Sequence, residues 1–151
     1  MKEIVFPNKI KKGSTIAVII PAGAIEPGQL DKTLELIKSK GFEPVLGSNV
    51  YSKYSNGYSY GGTPEERLAD LQWALDGDFG AIWTTRGGYG CAQLLQQIDL
   101  KKYRKNPKYL IGYSDVTVLQ SYLLKNGFAS VHGQSIKTSS QGVSEASYEG
   151  I

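Results

Sequence analysis

Short apolar runs alternate along the chain with amphipathic stretches. Thr15-Ile16-Ala17-Val18-Ile19-Ile20 is unbroken, rich in β-branched residues and closed by Pro21-Ala22-Gly23, the pattern of a strand buried on both faces. After Pro27-Gly28, the residues Leu30, Leu34 and Ile37 recur at helical spacing up to Gly41, which predicts a helix. Phe42-Glu43-Pro44-Val45-Leu46 reads as a second strand. Pro44 assigns it to an edge or an irregular position, because proline brings no N–H to a ladder. Thr63-Pro64-Glu65-Glu66 reads as a helix start: the threonine caps, the proline suits the first turn and Glu66 completes a capping box. Leu68, Leu71 and Leu75 give that helix one apolar face, and Asp76-Gly77-Asp78 stops it. A third strand is expected at Ala81-Ile82-Trp83-Thr84, then a helix from about Cys91 to Ile98. Tyr109-Leu110-Ile111-Gly112 gives a fourth strand and Asp115 to Lys125 a fourth helix, after which Asn126-Gly127 turns the chain into a fifth strand near Phe128 to Val131.

Strands that alternate with helices predict an α/β fold: an open, mostly parallel sheet with right-handed crossovers and helices on both faces, flavodoxin-like in outline. Sites in such sheets form beyond the carboxyl ends of the strands. Residues 47–62, with Tyr51, Tyr54, Tyr58 and Tyr60, make a longer connection than ordinary. Such a stretch is either a binding or lid segment or a surface loop folded over its own side chains. The ordered domain is expected over 1–133. The polar, Ser-rich stretch 134–151 reads as a linker, or the start of something missing.

Composition narrows the picture. With 151 residues, 40% hydrophobic and 21% charged, the chain suits one packed domain. No run approaches the ~18 apolar residues of a membrane helix, and Ile4-Val5-Phe6 is too short for a secretory core. The expectation is therefore a cytoplasmic protein with no membrane partner. A lone Cys91 and a lone His132 exclude an internal disulfide framework and Cys-rich or multi-His metal sites. The Asp76/Asp78 pair lacks the rest of a calcium loop and reads as a turn. The net charge is only +3. Its basic clusters, Lys2, Lys9, Lys11 and Lys12 and then Lys101, Lys102, Arg104, Lys105 and Lys108, come with no nucleic-acid motif and read as solvated faces.

The sharpest chemical feature is Ile111-Gly112-Tyr113-Ser114-Asp115-Val116. A buried strand runs into a helix with a serine at the join, the layout of a nucleophile elbow. There the Asp115 amide would face the oxyanion of a tetrahedral intermediate. A second donor would come from the glycines of Arg86-Gly87-Gly88-Tyr89-Gly90, whose backbone approaches a substrate closely for want of Cβ atoms. The pattern departs from G-x-S-x-G because Val116 replaces the last glycine, so Ser114 as a simple helix cap stands beside the catalytic reading. Serine needs a general base, and His132 at the end of the next strand has no evident orienting carboxylate, which favours a structural histidine. Cys91 reads as a buried thiol rather than a reactive one. The glycine loop as a phosphate cradle is a weak signal, lacking a third fingerprint glycine and a Walker lysine.

Lys12-Gly13-Ser14-Thr15 through Gly23, Tyr60-Gly61-Gly62-Thr63-Pro64-Glu65-Glu66-Arg67-Leu68-Ala69-Asp70-Leu71, Arg86-Gly87-Gly88-Tyr89-Gly90, Gly112-Tyr113-Ser114-Asp115 and Val131-His132-Gly133 occur in an order that resembles the N-terminal domain of the LD-carboxypeptidase family of serine peptidases. That family includes muramoyltetrapeptide carboxypeptidases and microcin C self-immunity proteins. The resemblance implies a class I glutamine amidotransferase-like N-terminal domain with Ser114 as nucleophile and the amides of Asp115 and Gly87-Gly88 as oxyanion hole. It implies hydrolysis of the L,D-amide bond to a terminal D-alanine of murein tetrapeptide in cytoplasmic wall recycling, with no metal or organic cofactor and with homodimers common. Arg86 and Tyr89 are candidates for substrate binding. Arg86 would hold a free carboxylate, with bracing of the glycine loop as the other role open to it. The family's glutamate and histidine lie in a C-terminal domain, so the chain is expected to be the serine-bearing half, inactive alone. Two other readings are an immunity-type amidase cleaving a peptidyl-nucleotide and a non-enzymatic flavodoxin-like module binding a phosphorylated ligand.

Overall fold

In a computed structural model, residues 3–139 are described. β1 (Thr15–Ile19), α1 (Asp31–Ser39) and β2 (Glu43–Leu46) come first, followed by a short hairpin of β3 (Tyr54–Ser55) and β4 (Ser59–Tyr60). α2 (Pro64–Asp76), β5 (Ala81–Thr84), β6 (Tyr109–Gly112), α3 (Thr117–Lys125), β7 (Val131–His132) and α4 (Ile136–Ser139) complete the order. The main sheet has five strands in the order β2-β1-β5-β6-β7, and all its pairings are parallel. The order reverses between β1 and β5, so the crevice of a doubly wound sheet opens beyond those two carboxyl ends.

The period of two along each central strand divides the core. Ile16, Val18, Ile20, Trp83 and Ile111 face one side, with Leu30 and Ile37 from the α1 region. Ala17, Ile19, Ile82 and Leu110 face the other, against Leu71 and Leu75 of α2 and Leu119 and Leu123 of α3. Helices therefore cover both faces, as the alternation predicts. β2 lies at the sheet edge, the place that Pro44 allows. α2 starts with the full capping box: Glu66 N–H donates to Thr63 Oγ1 at 3.2 Å and Thr63 N–H donates to Glu66 Oε2 at 2.8 Å.

Several expectations are revised. Residues Cys91–Gln97 form a 3-10 helix rather than an α-helix, and a 3-10 turn, Ser114–Val116, precedes α3. The fifth strand is Val131–His132, because Phe128 is occupied in a bridge to Val5 of the N-terminal segment. The Tyr-rich stretch 47–62 contains the β3/β4 hairpin, which joins the loop after β1 through a Gly23–Tyr60 bridge. Lys108 of the basic run is buried, with Nζ donating to Leu75 O at 2.8 Å near the end of α2.

Packing continues past residue 133. Ser135 and Ile136 are buried, Thr33 Oγ1 donates to Ile136 O at 2.9 Å, and the Trp83 indole N–H donates to Gln134 O at 2.7 Å. The rest of the stretch read as a linker, 140–151, lies outside the described residues. No helix among the described residues is long and apolar enough to cross a membrane.

Candidate functional site

Three loops meet beyond the carboxyl ends of the central strands: Pro21–Ala24 after β1, Arg86–Gly90 after β5 and Tyr113–Ser114 after β6. Tyr113 is extended, and Ser114 then turns to φ 60°. Among the described residues it is the sole non-glycine with positive φ, a conformation that crowds an L side chain and costs about 1 kcal/mol. The bend leaves the Ser114 side chain exposed at the head of the 3-10 turn that leads into α3.

Gly87 is where the second loop meets this serine. A Cβ built on Gly87 would lie 2.8 Å from Ser114 Cβ, 3.0 Å from its Oγ and 3.4 Å from the Asp115 amide nitrogen. The absent side chain is what lets the Gly87 backbone sit against the hydroxyl. Gly88, at φ 117°, faces elsewhere: its Cβ position falls on the Tyr58 hydroxyl and lies 3.3 Å from Gly23 Cα. Gly23 N–H donates to Gly87 O at 3.1 Å, so the loops after β1 and β5 are joined at the rim.

Tyr89, 67% exposed, packs edge-to-face with Tyr58 at 5.2 Å between centroids, and Tyr58 in turn meets Tyr60 at 4.9 Å. A tyrosine wall therefore rises beside the glycines. Arg86 Nη1 donates to Ala24 O at 2.9 Å. That contact braces the loop after β1, which supports the bracing role weighed for this arginine.

Asp115 contributes more than its amide. Its Oδ2 accepts from Cys91 N–H at 2.9 Å. The first amide of the 91–97 helix thus already faces a carboxylate, which weakens the idea of a phosphate cradle there. Cys91 is fully buried, and burial, reinforced by the Asp115 charge, pushes its thiol far above the usual range. That is the inert thiol expected from its sequence position.

Arg67 was not singled out from sequence. In the helical run Glu65-Glu66-Arg67-Leu68 it has the look of a solvated residue. It is 1% exposed, with Nε donating to Gly62 O at 3.2 Å and Nη1 to Pro21 O and Gly90 O at 3.0 Å each. Nη2 donates to Gln93 Oε1, and the guanidinium lies 5.1 Å from the Tyr60 ring centroid. The available signal was the glycine-bearing stretches at Pro21–Gly23, Gly61-Gly62 and Gly87–Gly90, whose carbonyls have few side chains nearby in sequence to satisfy them.

His132 is exposed at the end of β7. Gln120 Nε2 donates to Gly112 O at 2.9 Å and Val131 O at 2.8 Å, which turns its Oε1 toward His132 Nδ1 at 3.3 Å. That oxygen can accept from a ring N–H at Nδ1, and among the described residues no carboxylate is hydrogen-bonded to the ring. Among the described residues no cluster of three or more His, Cys, Asp or Glu side chains could hold a metal ion.

The chain belongs to the LD-carboxypeptidase N-terminal domain family, whose model matches residues 16–133. The murein tetrapeptide carboxypeptidase of Pseudomonas aeruginosa is 40% identical over 120 residues, covering 78% of this chain and 38% of that protein. A crystal structure of muramoyltetrapeptide carboxypeptidase from Oxalobacter formigenes aligns at a TM-score of 0.69 and 30% identity, over 82% of this chain and 40% of that one. The microcin C7 self immunity protein MccF, solved with aspartyl sulfamoyl adenosine, aligns at 0.85 over 96% of this chain and 45% of that one. At 24% identity that likeness speaks for the fold. The chain spans about two-fifths of the length of the curated relatives it matches.

Proposed function

We propose that this chain is the serine-bearing half of an LD-carboxypeptidase that releases a terminal D-alanine from murein tetrapeptide. The observation that carries the reading is the exposed Ser114 at φ 60° with Gly87 against its hydroxyl. A strained turn that displays a hydroxyl over a bare backbone is costly for a structural serine and useful for a nucleophile.

In this reading Ser114 Oγ attacks the amide carbonyl carbon while a general base removes its proton. The carbonyl oxygen gains the negative charge, and the N–H groups of Asp115 and of the Gly87-Gly88 segment stabilise it. Collapse of that intermediate breaks the C–N bond. The D-alanine nitrogen leaves with the proton, and water then releases the acyl group by the reverse sequence. Among the described residues nothing hydrogen-bonds the Ser114 hydroxyl, and His132 is engaged with Gln120. The general base in this reading is the glutamate–histidine pair that the family resemblance implies for a C-terminal domain. Arg86 serves chiefly as a brace, and Tyr89 with Tyr58 forms a wall for the substrate. A second reading, an amidase acting on a peptidyl-nucleotide, draws on that aromatic wall, since a nucleobase stacks on tyrosine.

The test is a chimera. Residues 1–139 of this chain replace the matching N-terminal portion of the Pseudomonas aeruginosa relative, and D-alanine release from murein tetrapeptide is followed. Turnover that disappears in the S114A chimera is the expected outcome. A folded, monodisperse chimera that releases no D-alanine overturns the reading, and cleavage of a peptidyl-adenylate analogue instead selects the second one.

A further inference from the structure

The peptide group between Gly90 and Cys91 is held at both ends. Its carbonyl oxygen accepts from Arg67 Nη1 at 3.0 Å, and its N–H donates to Asp115 Oδ2 at 2.9 Å. A cation therefore meets the negative end of this one peptide dipole and an anion meets the positive end, both in a largely buried setting. Bonds to charged partners are the strong class of protein hydrogen bonds. The two holders come from different places. Arg67 sits on α2 and also grips Pro21 O and Gly62 O, whereas Asp115 is the residue after Ser114. The Gly90–Cys91 peptide is thus a crossbar between the loop after β5, which carries Gly87, and the turn after β6, which carries the serine.

We propose that the Asp115 carboxylate and the Arg67 guanidinium are positioning residues which, by clamping the Gly90–Cys91 peptide, hold the Gly87-Gly88 rim in register with Ser114. The catalytic consequence rests on the LD-carboxypeptidase reading, but the clamp itself does not. Neither side chain touches the reacting atoms. Each acts through the backbone, and rim geometry matters most in the transition state, when the oxyanion forms. A displacement of the rim by about 1 Å costs on the order of 100-fold in rate. The loss therefore belongs in kcat and leaves KM nearly unchanged.

Two arms test this. In the 151-residue chain, native-state alkylation of Cys91 by iodoacetamide reads opening of the crossbar without any need for activity. Asp115→Asn drops the charge that raises the thiol but keeps an acceptor oxygen, so it sets the reference: Asp115→Ala should be alkylated at least tenfold faster than Asp115→Asn. In the chimera, Asp115→Ala should lower kcat roughly 10- to 100-fold at constant KM, with Asp115→Asn recovering most of the loss. Arg67→Lys, which loosens the carbonyl end, should give the same split and stands in if Asp115→Ala does not fold. Alkylation of Asp115→Ala no faster than that of Asp115→Asn, with unchanged alkylation in Arg67→Lys, overturns the clamp. Faster alkylation with unchanged kcat, or with a change confined to KM, overturns its link to catalysis. An inactive parent chimera instead counts against the enzyme reading and leaves the alkylation result to decide the clamp.

Discussion

Replacing Gly87 by alanine adds one methyl group where the two key loops touch. Gly87 has no positive φ, so the substitution carries no backbone penalty and its effect is steric. The new Cβ would lie 2.8 Å from Ser114 Cβ and 3.0 Å from Oγ, whereas carbon atoms settle near 3.5–4.0 Å, so the loops must part by ~0.7–1.2 Å. Overpacking of this kind costs about 1–3 kcal/mol of stability. The same shift moves the rim amides off the oxyanion position, which predicts a fall in kcat of roughly 10- to 100-fold with little change in KM. The assay is D-alanine release by the chimera at saturating and sub-saturating tetrapeptide, beside urea unfolding of the 151-residue chain. A Gly87→Ala chimera that keeps kcat within about threefold of its parent would refute the idea that this contact sets the catalytic geometry.

Three further outcomes are expected. Ser114→Gly relieves the left-handed strain, so the chain should gain about 0.5–1 kcal/mol in urea unfolding while the chimera loses turnover; a loss of stability would contradict the strained-turn account. Arg67→Ala removes the partner of Gly62 O, Pro21 O and Gly90 O and should lower unfolding free energy by about 3–5 kcal/mol, measured by the urea midpoint; a loss under about 1 kcal/mol would show those carbonyls satisfied by other means. Asp70, 3% exposed beside Asn49, has a carboxyl raised by burial despite hydrogen bonds from Asn49. Its unfolded form releases the proton first, so the stability it contributes is full below the usual carboxylate range and is lost as pH rises through the folded-state value. The parent's stability relative to Asp70→Asn should therefore fall as pH rises from the usual carboxylate range upward, and a difference that stays constant with pH would overturn the assignment.

The sheet was legible because its signals are local. Unbroken apolar runs such as Ile16–Ile20 and caps such as Thr63 with Glu66 act within a few residues, and they correctly placed the central strands and the start of α2. The layout of the candidate site was legible in part, since a serine at a strand-to-helix join and paired glycines after a strand are also local patterns. Three things depend on distant partners and were not legible. The 91–97 segment has helical composition, yet it forms a tighter helix whose first N–H is taken by Asp115. Residues 128–130 have strand-like composition, but Val5 occupies Phe128. Arg67 looks like a surface residue until the carbonyls of Pro21, Gly62 and Gly90 close around it. Pairings between residues tens of positions apart leave no period in the sequence.

Trp83 deserves use as a built-in reporter. Its indole lies on β5, nearly buried at 6% exposed, and donates to Gln134 O in the segment that leaves the sheet. Emission from this ring senses whether that exit segment is seated, and Trp73, 37% exposed on α2, supplies a largely constant background. A Trp73→Phe chain would be a single-fluorophore protein in which docking of whatever follows residue 139 is read optically, at micromolar concentration and without a label.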